Sequence, residues 1–436
     1  MAGLENVGAG LNVAVVGAGW SGLAAATELA AAGIPVTVFE TSRQLGGRAR
    51  GIPWHDAGLD NGQHILLGAY RDTLRLMRLV GVAPEQALLR LPLRLSIADT
   101  FDLQTPALPA PLHLLVALLG ARGLDWRERM AALRFVLRLK LSGFRVARDM
   151  PLSTFLAQQR QPQRLTQLLW EPLCLAALNT PLEQASTQVY LNVLRDSFSH
   201  ARADSDLLLP RCDLSALFPQ AAAEYIARQG GQVATGCTVD AIALHGEAFL
   251  LRTPQAEQHF SHVIAAVAPW RLADLAADLP HLAEPVRMAQ ALHYQPICTV
   301  YLQYAASVRL PFPMIGLTGG HAQWVLDRST THAQPGLLAA VISAEGAYQQ
   351  LDHATLTAEI TRELAAAFPQ LTAPLWSKVI IDKRATFACL PDLARPPQRT
   401  PLQNFYLAGD YTAGPYPATI EGSVRSGIIC ARAIIG

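Results

Sequence analysis

Charge is scarce in this 436-residue chain. Only 16% of its residues are charged, and 35 cations against 34 anions leave a net charge of +1. A global basic field for nucleic acid is therefore excluded. Lysine occurs only at positions 140, 378 and 383. Six cysteines (Cys174, Cys212, Cys237, Cys298, Cys389, Cys430) lie far apart with no CxxC. That excludes a zinc ribbon, argues against a disulfide framework and points to a reducing compartment. No apolar run reaches the roughly 18–20 residues of a spanning helix. The first residues lack a basic segment and carry Glu5, so they do not read as a secretory signal. GxSxG, HExxH and GxxxxGK[ST] are absent. His259 and His262 have ligand spacing but no carboxylate or cysteine partner beside them, so no metal is expected.

What is present is apolar. Hydrophobic residues make up 51%, with a mean hydropathy of +0.21. This excludes a disordered chain and implies large buried or lipid-facing surfaces. The length corresponds to two or three domains. The spacing predicts a strand over 12–17, an alanine-rich helix over 21–32 and a β-branched strand over 36–40, a complete βαβ unit. A Leu- and Arg-rich region from Tyr70 to Arg202 reads as mostly helical. Further elements are expected as a helix over 214–229, strands over 263–267, 298–303, 337–342 and 404–408, and helices over 355–367 and 422–435.

Gly17-Ala18-Gly19-Trp20-Ser21-Gly22 follows the first strand and opens the first helix. The first glycine permits the tight turn, the second a close approach to pyrophosphate, the third close helix–strand packing. The helix N-terminus offers free N–H groups to phosphate. Glu40 ends the second strand, where its carboxylate can accept from both ribose hydroxyls and repel a 2′-phosphate. Strand, glycines, helix and terminal Glu together make a specific dinucleotide signal. Gly8-Ala9-Gly10 is a decoy, because no strand precedes it. The next block, Leu45-Gly46-Gly47-Arg48-Ala49-Arg50, is more than a nicotinamide site needs. Its adjacent glycines let backbone pass close to a long ligand, and Arg48 supplies a planar guanidinium for pyrophosphate or ribose.

VVGAGWSGLAAATELAAAGIPVTVFE with LGGRAR resembles the flavin-containing amine oxidase and carotenoid-desaturase superfamily. Tyr406-Leu407-Ala408-Gly409-Asp410 resembles that superfamily's terminal motif, followed by Pro417-Ala418-Thr419-Ile420-Glu421-Gly422. The resemblance implies an α/β fold, a Rossmann-type FAD-binding domain interleaved with a mixed α+β substrate domain. It implies FAD held by Gly17, Ala18, Gly19, Ser21, Gly22, Glu40, Gly46, Gly47, Arg48, Asn61, Gly62, Gln63, Val239, Gly409, Asp410, Ala418, Thr419 and Ile420. The expected FAD domain is discontinuous, 1–70, 205–274 and 387–436. Segments 71–204 and 275–386 form the substrate domain, largely helical in its first part.

Asp56-Ala57-Gly58-Leu59-Asp60-Asn61-Gly62-Gln63-His64 and the C-terminal block are similar to the hydroxysqualene dehydroxylases. That resemblance implies reductive removal of an allylic hydroxyl from hydroxysqualene to give squalene, feeding hopanoid synthesis. It also implies a reductant for FAD that no motif here specifies. Thr419 stands where amine oxidases commonly place an aromatic residue to cage the amine. A leaving hydroxyl needs a proton donor, and four side chains qualify without ranking: His64, Asp60, Tyr416 and Glu421. Asn61, Gln63 and His64 also suit a plain hydrogen-bonding loop. Phytoene-type desaturation, amine oxidation and flavin-free prenyl binding are the competing functions. Around 107–148 an apolar stretch precedes a basic amphipathic helix. It reads either as a solvated domain face or as a peripheral contact with the inner face of the cytoplasmic membrane; the expected location is cytoplasmic.

Overall fold

The computed structural model describes residues 10–54 and 57–436. Glu5, most of the Gly8-Ala9-Gly10 decoy and Asp56 lie outside them. Five parallel strands form one sheet, in the order Gln232–Thr235, Val36–Glu40, Val13–Val16, His262–Ala265, Phe405–Leu407. Val13–Val16 sits in the centre and all four residues are buried. A strand covered on both faces reads as a continuous apolar run, not an alternation. Val13 and Val15 belong to one core with the helix Trp20–Ala31, and Ala14 and Val16 to another.

The C-terminal helix Ile420–Ile435 lies directly on the helix Trp20–Ala31. A Cβ on Gly427 would stand 2.1 Å from the Ser21 carbonyl oxygen. An antiparallel sheet, Ala241–His245, Ala248–Arg252 and Glu257–Phe260, covers the opposite face through Phe249 on Phe405 and Phe260 on Phe39.

A second, seven-stranded sheet runs Trp376–Phe387, Tyr294–Gln303, Leu337–Ser343, Trp324–Asp327, Met314–Gly316, Arg94–Ile97, Phe101–Gln104. Its pairings are antiparallel except the single parallel pair of Gly316 with Ile97. Leu337–Ser343 is buried throughout. Alternate residues serve two cores, one shared with the helix His353–Ala367. Helices Leu112–Gly120, Trp126–Leu141, Leu152–Gln158, Glu171–Leu178 and Thr187–Phe198 supply the helical part.

The region 70–202 is mostly helical, as expected, but Leu88–Leu91, Arg94–Ile97 and Phe101–Gln104 within it are strands. Two of them take partners more than a hundred residues away, Leu207–Pro210 and Met314–Gly316, and tertiary pairing overrides local propensity. The helix expected over 214–229 is two helices, Leu214–Leu217 and Pro219–Arg228. Phe218 leaves helical geometry, and Pro219, lacking an N–H, starts the second piece.

Candidate active site

The glycine loop is shaped by contacts that a side chain would prevent. Gly17 has φ +109, and a Cβ there would lie 2.5 Å from the Ala266 carbonyl oxygen. A Cβ on Gly22 would lie 2.0 Å from the Gly17 oxygen. Gly46 donates its N–H to Ala18 at 2.9 Å, and Gly46 pairs with Gly19 as an isolated bridge. Gly47, with φ +62, would bring a Cβ within 3.2 Å of the Gly19 Cα. Two glycine loops thus pack backbone against backbone. Trp20 fixes this arrangement, its Nε1 donating to the Ala49 carbonyl at 2.9 Å while its ring lies on Phe218.

These loops form one wall of a cleft of about 580 Å³. Glu40 lines it, its two carboxylate oxygens accepting from the amides of Ala18 at 2.7 Å and Ser42 at 2.8 Å. Each oxygen keeps a lone pair for a ligand hydroxyl. Val239 lines the same end. On the other wall, Gly409, Asp410, Ala418, Thr419 and Ile420 face in, and Thr419 caps the last helix by accepting from the Gly422 amide. Both long helices, Trp20–Ala31 and Ile420–Ile435, open onto the cleft with their N-termini.

Arg48 spans the gap. Its Nη2 meets Asp410 Oδ1 at 2.5 Å and its Nη1 donates to the Ala385 carbonyl at 2.7 Å. Burial works against this charge, but Asp410 outweighs it and raises the guanidinium above its ordinary value. Asn61 donates to the Arg48 carbonyl at 3.1 Å and also lines the cleft.

The structure thus gathers Gly17, Gly19, Ser21, Glu40, Gly46, Gly47, Arg48, Asn61, Val239, Gly409, Asp410, Ala418, Thr419 and Ile420 around one cleft. Ala18 and Gly22 stand behind the lining, the first as a donor to Glu40, the second as the packing contact. Gly62 and Gln63 do not line it. The Gln63 amide donates to the Tyr301 hydroxyl at 2.7 Å and faces a second cavity. Sequence reasoning missed Asp382, Ala385 and Thr386, which reach the cleft from the end of Trp376–Phe387. It also missed Arg271 and Asp274. None of these carries a local motif, whereas Trp20, Ala49 and Arg50, which also line the cleft, lay inside the glycine blocks.

The second cavity, about 210 Å³, is walled mainly by apolar side chains including Ile65, Leu95, Leu173, Leu194, Trp324 and Val341. Thr419 lines both the cleft and this cavity, so the two lie side by side there. Tyr70 lines the same cavity.

The four proton-donor candidates are separated. Asp60 is buried, accepting from the Leu214 amide at 2.9 Å and from Arg328 at 2.9 Å, with His332 3.5 Å away. Burial would raise its pKa; His332, Arg328 and the Leu214 amide outweigh burial and lower it. Glu421 is fully buried at the start of the helix Arg71–Leu79, accepting from the amides of Asp72 and Thr73 and the Thr73 hydroxyl, and pairing with Arg425. Its lone pairs are committed to capping that helix.

His64 lines the cleft, and burial lowers its pKa, which keeps it neutral at pH 7. Its Nδ1 lies 3.2 Å from the Gly62 carbonyl. That bond assigns the proton to Nδ1 and leaves Nε2 an acceptor. Tyr416 lines the apolar cavity with Asp196, to which its hydroxyl donates. Burial, then the Asp196 bond, push its pKa up. Asp196 itself is held low by Arg195 and Tyr416 against the effect of burial. The histidines of the 259–262 pair point to different partners, His259 to the His245 ring and His262 to Ser261.

The cleft fits FAD. It is long, floored by bare backbone where side chains would collide, and carries an acceptor carboxylate at one end and a helix N-terminus at each wall. The family model described as flavin containing amine oxidoreductase matches residues 20–435. A hydroxysqualene dehydroxylase of Rhodopseudomonas palustris is 30% identical over 95% of this chain and 96% of its own length. A 15-cis-phytoene desaturase of Solanum lycopersicum is 25% identical over 98% of this chain and 78% of its own length. The crystal structure of an oxidoreductase from Methanosarcina mazei superimposes with a TM-score of 0.74 at 15% identity, over 96% of this chain and 99% of its own. The chain belongs to the flavin containing amine oxidoreductase family, whose cofactor is FAD.

Proposed function

We propose that this chain removes the allylic hydroxyl of hydroxysqualene reductively, giving squalene and water. The observation that carries the reading is Thr419, which lines both the FAD cleft and an adjacent apolar cavity. A cavity of about 210 Å³ is smaller than the roughly 300–1,000 Å³ of pockets that enclose whole drug-sized ligands. It receives one end of a long hydrocarbon chain. Burial of apolar surface supplies the affinity there. The full-length likeness to hydroxysqualene dehydroxylase supports the same substrate class.

Reduced FAD, when bound, supplies hydride chemistry. The chain's own part is to hold the substrate carbon against the cleft and to manage the departing oxygen. Of the four candidate donors, Tyr416 alone lines the apolar cavity. Its hydroxyl rotates from Asp196 to the substrate oxygen and gives up its proton as the C–O bond breaks. Even with a raised pKa a phenol remains a stronger acid than water, at about 15.7, so transfer to hydroxide runs downhill. Asp196 holds the phenol in place between turnovers.

Amine oxidases usually hold a water on a lysine beside the flavin, and the late lysines do not reach this site. Lys378 stands over the Trp54 ring, and neither Lys378 nor Lys383 lines the cleft or the cavity. The likeness to phytoene desaturases favours a second reading, hydride removal from a polyene precursor. The test is anaerobic incubation of the photoreduced flavoprotein with hydroxysqualene, and of the oxidised protein with phytoene, followed by mass spectrometry of the lipids. Squalene from the first supports the proposal. Desaturated product from the second alone replaces it.

A further inference from the structure

The helix Trp126–Leu141 is apolar on two opposite sides. At about 100° per residue, Ala131, Ala132, Phe135 and Leu139 form one stripe, and all four are buried. Trp126, Met130, Leu133, Leu137 and Leu141 form a second stripe, within about 80° of arc and diametrically opposed. Trp126 is 64% exposed, Leu137 57% and Leu141 80%. The helix Leu112–Gly120 packs beside it and repeats the arrangement. His113, Ala117 and Leu118 are buried, while Leu112, Val116 and Leu119 are exposed at i, i+4 and i+7. Twelve large apolar side chains stand exposed among the described residues, and seven of them lie between Leu108 and Leu141. A domain face that only meets water has no use for such a patch.

The patch has a cationic border. Arg127, Arg134 and Arg138 follow one edge of the exposed stripe on the helical wheel, and Lys140 the other. Arg122, Arg145 and Arg148 lie on the flanking turns and are exposed. None of these seven is ion-paired among the described residues, although seventeen arginine–carboxylate pairs occur there. The nearby Glu128 is buried and spent on Arg164 and the Asp125 amide. No helix among the described residues is long and apolar enough to cross a membrane.

We infer that this two-helix face docks on the surface of an anionic phospholipid bilayer, the apolar stripe entering the acyl boundary and the arginines meeting headgroup phosphates. Charge complementarity selects this occupant. A second copy meeting the patch face to face would set seven unpaired cations against seven. Trp126, amphipathic at the margin of the stripe, suits the interface. The inner side of the patch reaches the apolar cavity, since His113 Nε2 lies 3.3 Å from the hydroxyl of Ser205, a cavity-wall residue. The inference stands independently of which lipid the enzyme converts.

Flotation of the full-length holoprotein with vesicles tests it. Binding to phosphatidylcholine vesicles containing phosphatidylglycerol is expected, weakened by salt and weak on phosphatidylcholine alone. Leu137→Ser with Leu141→Ser, and separately Arg134→Glu with Arg138→Glu, are expected to cut the bound fraction at least roughly tenfold. All four side chains are exposed, so flavin absorbance and melting temperature should not change. Absence of wild-type flotation, or equal flotation of both variants, overturns the inference. So does a wild-type dimer in solution that the serine variant dissolves while vesicle binding stays nil.

Discussion

Arg48 and Asp410 lie 362 positions apart and meet at 2.5 Å across the cofactor cleft. Their pairing joins the loop after the second strand to the loop after the last, so residues from both ends of the chain line one cleft. Asp410 is 8% exposed in its side chain and Arg48 33%, which makes the bond charge-assisted and partly desolvated. Arg48→Ala should weaken FAD retention by about 1.5–3 kcal/mol, roughly tenfold to a hundredfold. The ratio of flavin to protein absorbance after gel filtration, and FAD titration of the apoprotein, measure it.

Gly22→Ala should be more damaging than a methyl group ordinarily is. The new Cβ would fall 2.0 Å from the Gly17 oxygen, and that atom belongs to backbone. The loop must move, at about 1–3 kcal/mol by analogy with overpacked cores. We expect apoprotein and a lowered urea midpoint. Gly58→Ala, where a Cβ meets nothing within 4 Å, is the control expected to behave as wild type.

Glu421→Gln separates capping from catalysis. The carboxylate accepts from two amides and the Thr73 hydroxyl and pairs with Arg425. Loss of its charge should cost about 1–3 kcal/mol in chemical denaturation. Turnover per bound flavin should be unchanged. A collapse of turnover at intact stability would return Glu421 to the reaction.

Tyr416→Phe and His64→Gln should part in the opposite way. The first removes a hydroxyl from the apolar cavity and should lower reductive turnover about 10²-fold or more, within the range for general acids, with FAD retained. The second replaces a neutral ring whose proton faces the Gly62 carbonyl, and should leave turnover within a few-fold. Single-turnover kinetics monitored at the flavin band distinguish them.

Stability should fall in acid in two stages. His64 and His332 have pKa values lowered chiefly by burial. The unfolded chain therefore binds more protons than the folded one just below about pH 6.5. Their contribution is complete above that pH and declines as pH drops toward the folded values. Asp60, also lowered, contributes above its unfolded value near about 3.9 and loses that contribution as pH falls through the folded one. Urea midpoints at pH 7.5 and 5.5 should differ in the wild type, and His332→Gln should narrow the difference.

Much of the cofactor cleft was legible because its chemistry demands residue types at short spacings. Gly17, Gly19 and Gly22 with Glu40 are dictated by a turn, a close approach, a helix contact and a ribose acceptor, all within one βαβ unit. Gly46, Gly47 and Asp410 were legible by likeness. Gln63 was not. It neighbours Asn61 in sequence, but the chain turns between them, and its amide goes to Tyr301 and away from the cleft. The strands Leu88–Leu91 and Arg94–Ile97 were passed over, although leucine and arginine alternate there with the period of a strand and Pro92 interrupts any helix, because the helical texture on either side was extended across them.

The sequence by itself determined a flavin-type dinucleotide cleft, because local backbone sterics leave few residues able to occupy those positions. It also placed an apolar, basic segment around 107–148. Only the tertiary structure decided which of Asp60, His64, Tyr416 and Glu421 faces the apolar cavity, and that the apolar residues of the Trp126–Leu141 helix divide into a buried and an exposed stripe. Those are questions of direction and burial. They depend on which distant elements pack against a residue, and no spacing along the chain encodes that.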